Sequence, residues 1–231
     1  MALETVSAGS ASSAEPTGAP RVPEEDAVRD DATVTAALDL LAHWWSRPLA
    51  DEVQVWVEAG EVEAELRLRI SGEPASSRLP VGPDDVLPLL SEYERLFVGP
   101  GHVPSPPYES YWREDAPVDI RRSLVGPCTA ELRRLYRQLD IELAQESGEL
   151  PDHIAVELEA LAYALSFEET LPVARALFFD HVRQWLPRLC RAVAHESEQP
   201  FYRELAAVTL EWIGYAQRYF EAHDAVSPET S

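Results

Sequence analysis

The chain has 231 residues, enough for one domain with a full hydrophobic core and no need of a disulfide staple. Its 19 basic residues, all arginine, face 41 acidic ones for a net charge of −22, in a mixture that is 45% hydrophobic and 26% charged. Such an acidic surface disfavours nucleic acid and anionic membranes, which bind through cations that neutralise phosphates; two cysteines without a CxxC pair indicate neither a disulfide framework nor a structural zinc site.

Residues 1–32 are rich in Ala, Ser, Pro, Thr and acid, match neither a secretory nor a twin-arginine leader, and read as a disordered acidic tail. From Thr33 the composition changes. Val34, Leu38, Leu41 and Trp45 fall at helical spacing and predict a first helix over 33–45. Residues 53–70 fit two templates: Val53, Val55, Val57 and then Val62, Ala64, Leu66, Leu68 alternate as a hairpin does, while Val53, Trp56, Val57 and Val62, Leu66, Ile70 fit a helix.

After a loop over 71–83, Asp84 is placed to cap a helix carrying Val86, Leu89, Leu90, Tyr93, Leu96 and Phe97 on one face, stopped by Gly99 and Pro100. A long irregular stretch over 99–117 follows, with four prolines and then Tyr108, Tyr111 and Trp112. Three aromatics in a loop of that length argue for function or for plugging the core, and against disorder. Cys128, Leu132, Leu135 and Leu139 predict the next helix, with Arg133, Arg134 and Arg137 on its solvent face.

Pro151 is expected to open a helix with Ile154, Leu158, Leu161 and Leu165 in one stripe. Pro172 opens another with Leu177, His181, Trp185 and Leu189 in line, kinked or broken at Pro187. Phe201, Leu205, Val208, Trp212, Tyr215 and Tyr219 mark a last helix, after which residues 223–231 fray. The expectation is a single all-α helical-bundle domain over 33–222, free of membrane spans and export signals, hence cytoplasmic.

Candidate chemistry is sparse. His153 and Glu157, four apart on one helix face with Asp152 beside them, have the spacing of two metal ligands, and a metal-dependent helical enzyme built on them is one reading. No HExxH motif or second histidine pair supplies a third ligand, and His153 is equally placed to cap the helix. Neither a GxSxG elbow nor a phosphate loop is present. The other reading is peptide capture, with the proline and aromatic loop as a rigid apolar wall and Asp152, Glu157 and Glu159 receiving basic side chains.

Three segments in order carry a resemblance. The run ELPDHIAVELEALAYAL over 149–165 resembles the signature of the TorD/DmsD/NarJ family of redox-enzyme maturation chaperones. The run YERLFVGPGHVPSPPYESYWRE over 93–114 is similar to that family's helix end and proline loop, and His181, Trp185 and Pro187 followed by Phe201-Tyr202 match more loosely.

The resemblance implies an all-helical cytoplasmic chaperone without enzymatic activity or resident cofactor. Its partner is expected to be a molybdopterin-dependent oxidoreductase catalytic subunit, bound by its twin-arginine leader or another segment and held back from export or membrane assembly until cofactor is inserted. It leaves room for a homodimer. The peptide-binding residues it implies are Pro151, Asp152, His153 and Glu157, with Pro107, Tyr108, Ser110 and Tyr111 from the loop, and Phe97 and Trp112 beside them. It also favours helix over hairpin at 53–70.

Overall fold

A computed structural model describes residues 31–49, 79–82, 84–113, 126–143 and 150–226. The expectations for the N-terminal tail before Asp31 and for the segment over 53–70 lie outside these residues. Among the described residues the regular elements are helices, as expected, and the one β-pairing is an isolated bridge.

The element order is α1 (Asp31–Trp45), α2 (Val86–Tyr93), α3 (Glu109–Trp112), α4 (Pro127–Gln138), α5 (Ile154–Leu165), α6 (Leu171–Ala176), α7 (Arg183–Glu196) and α8 (Pro200–Val226). The centre is α5. Nine of its twelve residues are buried, because a helix apolar on nearly all sides must be enclosed by others. Helix α1 packs along it through Val34, Leu38, Leu41 and Trp45, and α8 packs against α7.

The stripe Phe201, Leu205, Val208, Trp212, Tyr215 and Tyr219 on α8 is buried throughout, as its spacing predicts. The helix runs to Val226, four residues past the end expected at Ala222. Trp45 donates its indole N–H to Thr209 Oγ1 at 3.0 Å, which ties α1 to α8 without leaving a buried donor unpaired at that point.

Two helix boundaries differ from expectation. Asp85, not Asp84, precedes α2, and its carboxylate accepts the Gly82 N–H at 2.7 Å, so it fixes the entry turn. Helix α5 begins at Ile154, not Pro151: His153 is the cap, its Nδ1 accepting the Ala155 N–H at 3.3 Å, while Pro151 stays in the turn before and offers its carbonyl to the Tyr136 hydroxyl at 2.8 Å.

Two π-helical turns place side chains that matter below. Glu94–Val98 extends α2 and ends at Gly99, whose φ of 35° suits a residue without Cβ. Leu177–Val182 joins α6 to α7. Helix α7 runs through Pro187, so the irregularity lies upstream of the proline. Pro187 has no N–H for the Arg183 carbonyl, and Arg183 is the residue at which α-helical register resumes after the widened turn.

Glu92 closes the far end. Its carboxylate accepts hydrogen bonds from the Ser197 hydroxyl at 2.9 Å, the Glu198 N–H at 2.6 Å and the Arg95 guanidinium at 2.8 Å, which pins the turn between α7 and α8. Burial pushes this carboxyl up, but those donors outweigh it and hold it down at about 2.

Candidate functional site

The proline loop and the turn before α5, about forty residues apart in sequence, are stitched together. Tyr108 and His153 form an antiparallel bridge in which Glu109 N–H donates to the Asp152 carbonyl at 2.9 Å and Ile154 N–H to the Pro107 carbonyl at 3.0 Å. Asp152 Oδ2 accepts the Ser110 N–H at 3.1 Å and so caps α3. The Tyr108 and His153 rings meet edge to face, centroids 5.3 Å apart. Trp112 donates its indole N–H to the Pro106 carbonyl at 2.7 Å, and its ring meets that of Tyr111 at 5.2 Å. Three half-buried aromatics therefore stand on a loop held by its own hydrogen bonds.

Pro107, Tyr108, Ser110, Tyr111 and Trp112 thus come together with Pro151, Asp152 and His153. Glu157 lies one helical turn deeper. Phe97 stands apart, packed edge to face against Tyr93, Trp45 and Tyr202 in the aromatic core. The carboxylates expected to receive basic side chains behave differently from one another: Asp152 and Glu157 are fully buried, while Glu159 is exposed.

Below the bridge lies a buried polar cluster. Glu109, fully enclosed, places Oε2 2.9 Å from His181 Nδ1 and Oε1 2.8 Å from the Arg113 guanidinium, which also donates to the Asp180 carbonyl. Glu157 Oε2 accepts the Trp185 indole N–H at 3.1 Å, and its Oε1 has no hydrogen-bond partner, nor has Asp152 Oδ1. Burial, then the neighbouring Glu109, drives the Glu157 carboxyl far above the usual range, which favours its protonated form. Burial also raises Asp152, against the Ser110 hydroxyl and N–H, and lowers His153 to about 4. His153 is therefore the neutral ring that its capping role needs.

Glu109, Arg113, His181 and Trp185 escape a reading for site residues. The signal for the last two is their spacing of four on an apolar stripe, which brings an imidazole and an indole to one face; Glu109 and Arg113 show only the i,i+4 spacing of an ordinary helix pair, and their other partners come from the π-helical turn far along the chain. His153 and Glu157 do share a helix face, but one ring nitrogen and one carboxylate oxygen are spent on Ala155 and Trp185. Among the described residues no group of three His, Cys, Asp or Glu side chains is arranged to hold a metal ion. Burial pushes both cysteine thiols well up, which leaves them poor nucleophiles.

The open space beside the bridge is a cleft of about 520 Å³. Ser46 and Arg47 at the end of α1 form one side, Tyr93 and Ile141–Leu143 another, and His153, Val156, Glu159 and Tyr163 the third. Of the candidate site residues singled out in the sequence, His153 and Glu159 line it.

Known proteins resemble the chain along most of its length. The family model described as nitrate reductase delta subunit matches residues 61–191. The Tat proofreading chaperone DmsD of Salmonella typhi is 29% identical over 189 residues, 79% of this chain and 88% of the relative. The chaperone protein TorD of Shewanella piezotolerans is 27% identical over 133 residues, 55% of this chain and 60% of TorD. A crystal structure described as a candidate redox enzyme maturation protein from Archaeoglobus fulgidus shares the fold, with a TM-score of 0.53 at 24% identity over 79% of this chain and 93% of the other.

Proposed function

Because the chain belongs to the TorD/DmsD/NarJ family of redox-enzyme maturation chaperones, the family of the nitrate reductase delta subunit, we propose that it is the maturation chaperone of a molybdenum-cofactor oxidoreductase. It binds the catalytic subunit by its twin-arginine leader or another segment, assists cofactor insertion, and holds the subunit back from export or membrane assembly until that is done. It acts by binding alone, in the cytoplasm.

The observation that carries this reading is the bridge between Tyr108 and His153. The two segments whose sequence resembles the chaperone family's motifs, remote in sequence, form one ledge beside an open cleft. A preformed ledge loses little conformational entropy when a flexible client docks, which is what capture of an unfolded leader requires. The relatives named as Tat proofreading chaperones support the client class. Among the described residues no helix is long and apolar enough to cross a membrane.

The test is a pull-down from native lysate with the tagged full chain, reading captured proteins and their cofactor content by mass spectrometry. Recovery of one molybdopterin-dependent catalytic subunit in its cofactor-free form is the expected result. Recovery of no such subunit, or only of the cofactor-loaded form, overturns the reading.

A further inference from the structure

We propose that the client segment is read in the cleft between the end of α1, residues 141–143 and the first turns of α5, where Glu142 and Glu159 select an arginine that lies beside apolar residues. This rests on the chaperone reading above and assigns the selection to side chains other than the buried Asp152 and Glu157.

Charge is the first argument. The ionisable side chains facing the cleft, besides the neutral His153 and Tyr93, are Arg47, Glu142, Glu159 and the phenol of Tyr163. Arg47 is already matched, its guanidinium 2.6 Å from Glu94 Oε1. Glu142 and Glu159 have no ion-pair partner among the described residues. The cleft therefore presents two unmatched carboxylates, and its complement is a cation. A second copy of this chain, at net charge −22, is a poor occupant on the same ground.

The surroundings of Glu159 make that complement specific. Although Glu159 is exposed, the packed wall beside it partly desolvates its carboxyl and pushes it up, Asp39 on α1 pushes it further, and His43 pulls the other way. A guanidinium arriving at the cleft favours the ionised form that the neighbourhood disfavours, and a planar fork matches a carboxylate better than an ammonium does. Asp152, by contrast, is enclosed and already bonded to the Ser110 N–H, so it reaches no ligand unless the turn opens.

The apolar half of the site is the wall behind the acids. Ile141, Leu143 and Val156 line the cleft, and Tyr163 at its edge is 46% exposed. Its ring meets that of Phe167, 44% exposed, with centroids 5.4 Å apart, so the apolar strip continues along α5 past the cleft. A segment in which an arginine lies beside apolar residues meets both the acids and the strip.

The probe is a fluorescent synthetic peptide with two adjacent arginines followed by an apolar run, beside a copy with both arginines replaced by glutamine, titrated into the full chain and read by anisotropy. The Glu142→Gln/Glu159→Gln double variant keeps the shape of both side chains. The arginine peptide is expected to bind the variant roughly tenfold or more weakly than wild type, while the glutamine peptide binds both proteins equally. Tyr163→Ala is expected to weaken both peptides alike.

Equal binding of the arginine peptide to wild type and double variant overturns this assignment and leaves the chaperone reading standing. So does a wild type that ignores both peptides yet captures the apo subunit from lysate, since the client is then held elsewhere. Failure of the lysate capture as well counts against the chaperone reading itself.

Discussion

Glu109 and His181, 72 positions apart, stand 2.9 Å from each other with both side chains buried, and they clamp the proline loop to the π-helical turn. The same carboxylate holds Arg113, so replacing it strands the buried His181 nitrogen and leaves Arg113 only its bond to the Asp180 carbonyl. Glu109→Ala is expected to cost about 3 kcal/mol or more of unfolding free energy, as for other buried pairs that lose one partner. Urea unfolding measures it; a loss below about 1 kcal/mol would show that the clamp is slack.

Glu157 gives stability a dependence on alkaline pH. Its carboxyl is raised in the folded state, so its contribution is fully present below the ordinary carboxylate value near 4.5 and is lost as pH rises through the raised one. Glu157→Gln keeps an acceptor for the Trp185 indole and cannot ionise. Wild type is expected to lose stability relative to this variant as pH is raised from the ordinary carboxylate value near 4.5 into the alkaline range, the direction that a raised pKa dictates. Parallel denaturation curves across that range would contradict it.

His153 acts in the opposite sense. The ring is neutral when folded, with its pKa lowered to about 4, whereas an exposed histidine titrates near 6.5. Stability is therefore present above pH 6.5 and is lost as pH falls towards 4, by on the order of 3 kcal/mol. His153→Asn retains a capping oxygen for the Ala155 N–H without the titration. The acid-side loss measured from pH 7 to pH 4 is expected to shrink by about that amount in the variant; an unchanged acid limb rules the histidine out as its source.

Two neighbouring glutamates should differ sharply. Glu92 is buried and anchors the turn before α8 through three donors, so Glu92→Ala is expected to cost about 3 kcal/mol. Glu94 pairs with Arg47 at the surface, the two side chains 37% and 55% exposed, and Glu94→Ala is expected to cost about 0.5 kcal/mol or less. Thermal or urea unfolding of both variants decides whether burial sets the difference, since near-equal losses would refute it.

Helices were legible wherever one face alone is buried. The stripe from Phe201 to Tyr219 keeps helical register over five turns and could be read straight from its spacing, as could the solvent-facing Arg133, Arg134 and Arg137 of α4. Boundaries were less legible where two residues compete for one role. Asp84 and Asp85 are equally good candidates in sequence, and only the Gly82 N–H that meets Asp85 separates them. A proline at position 151 looks like a helix opener, but the histidine two residues on takes the first free N–H.

The site was half legible. The proline loop and the turn before α5 were both singled out, and the structure joins them, yet the join runs through backbone atoms that no side-chain pattern records. Asp152 and Glu157 looked like surface acids because carboxylates usually are. Their enclosure depends on Ser110 and Trp185, remote partners that satisfy one oxygen of each. Of the acids that do face open space, Glu159 was singled out with Asp152 and Glu157, whereas Glu142 stands among ordinary surface residues and becomes distinctive only once three chain segments form a cleft around it.

Amide hydrogen exchange of the full chain, with and without the apo form of its captured client subunit, is the most direct measurement of whether the client binds in the cleft beside the Tyr108–His153 bridge. Slowed exchange concentrated at residues 141–143 and 155–163, the walls of the cleft, is the expected result. Protection confined to α7 and α8, with the cleft amides unchanged, would contradict it.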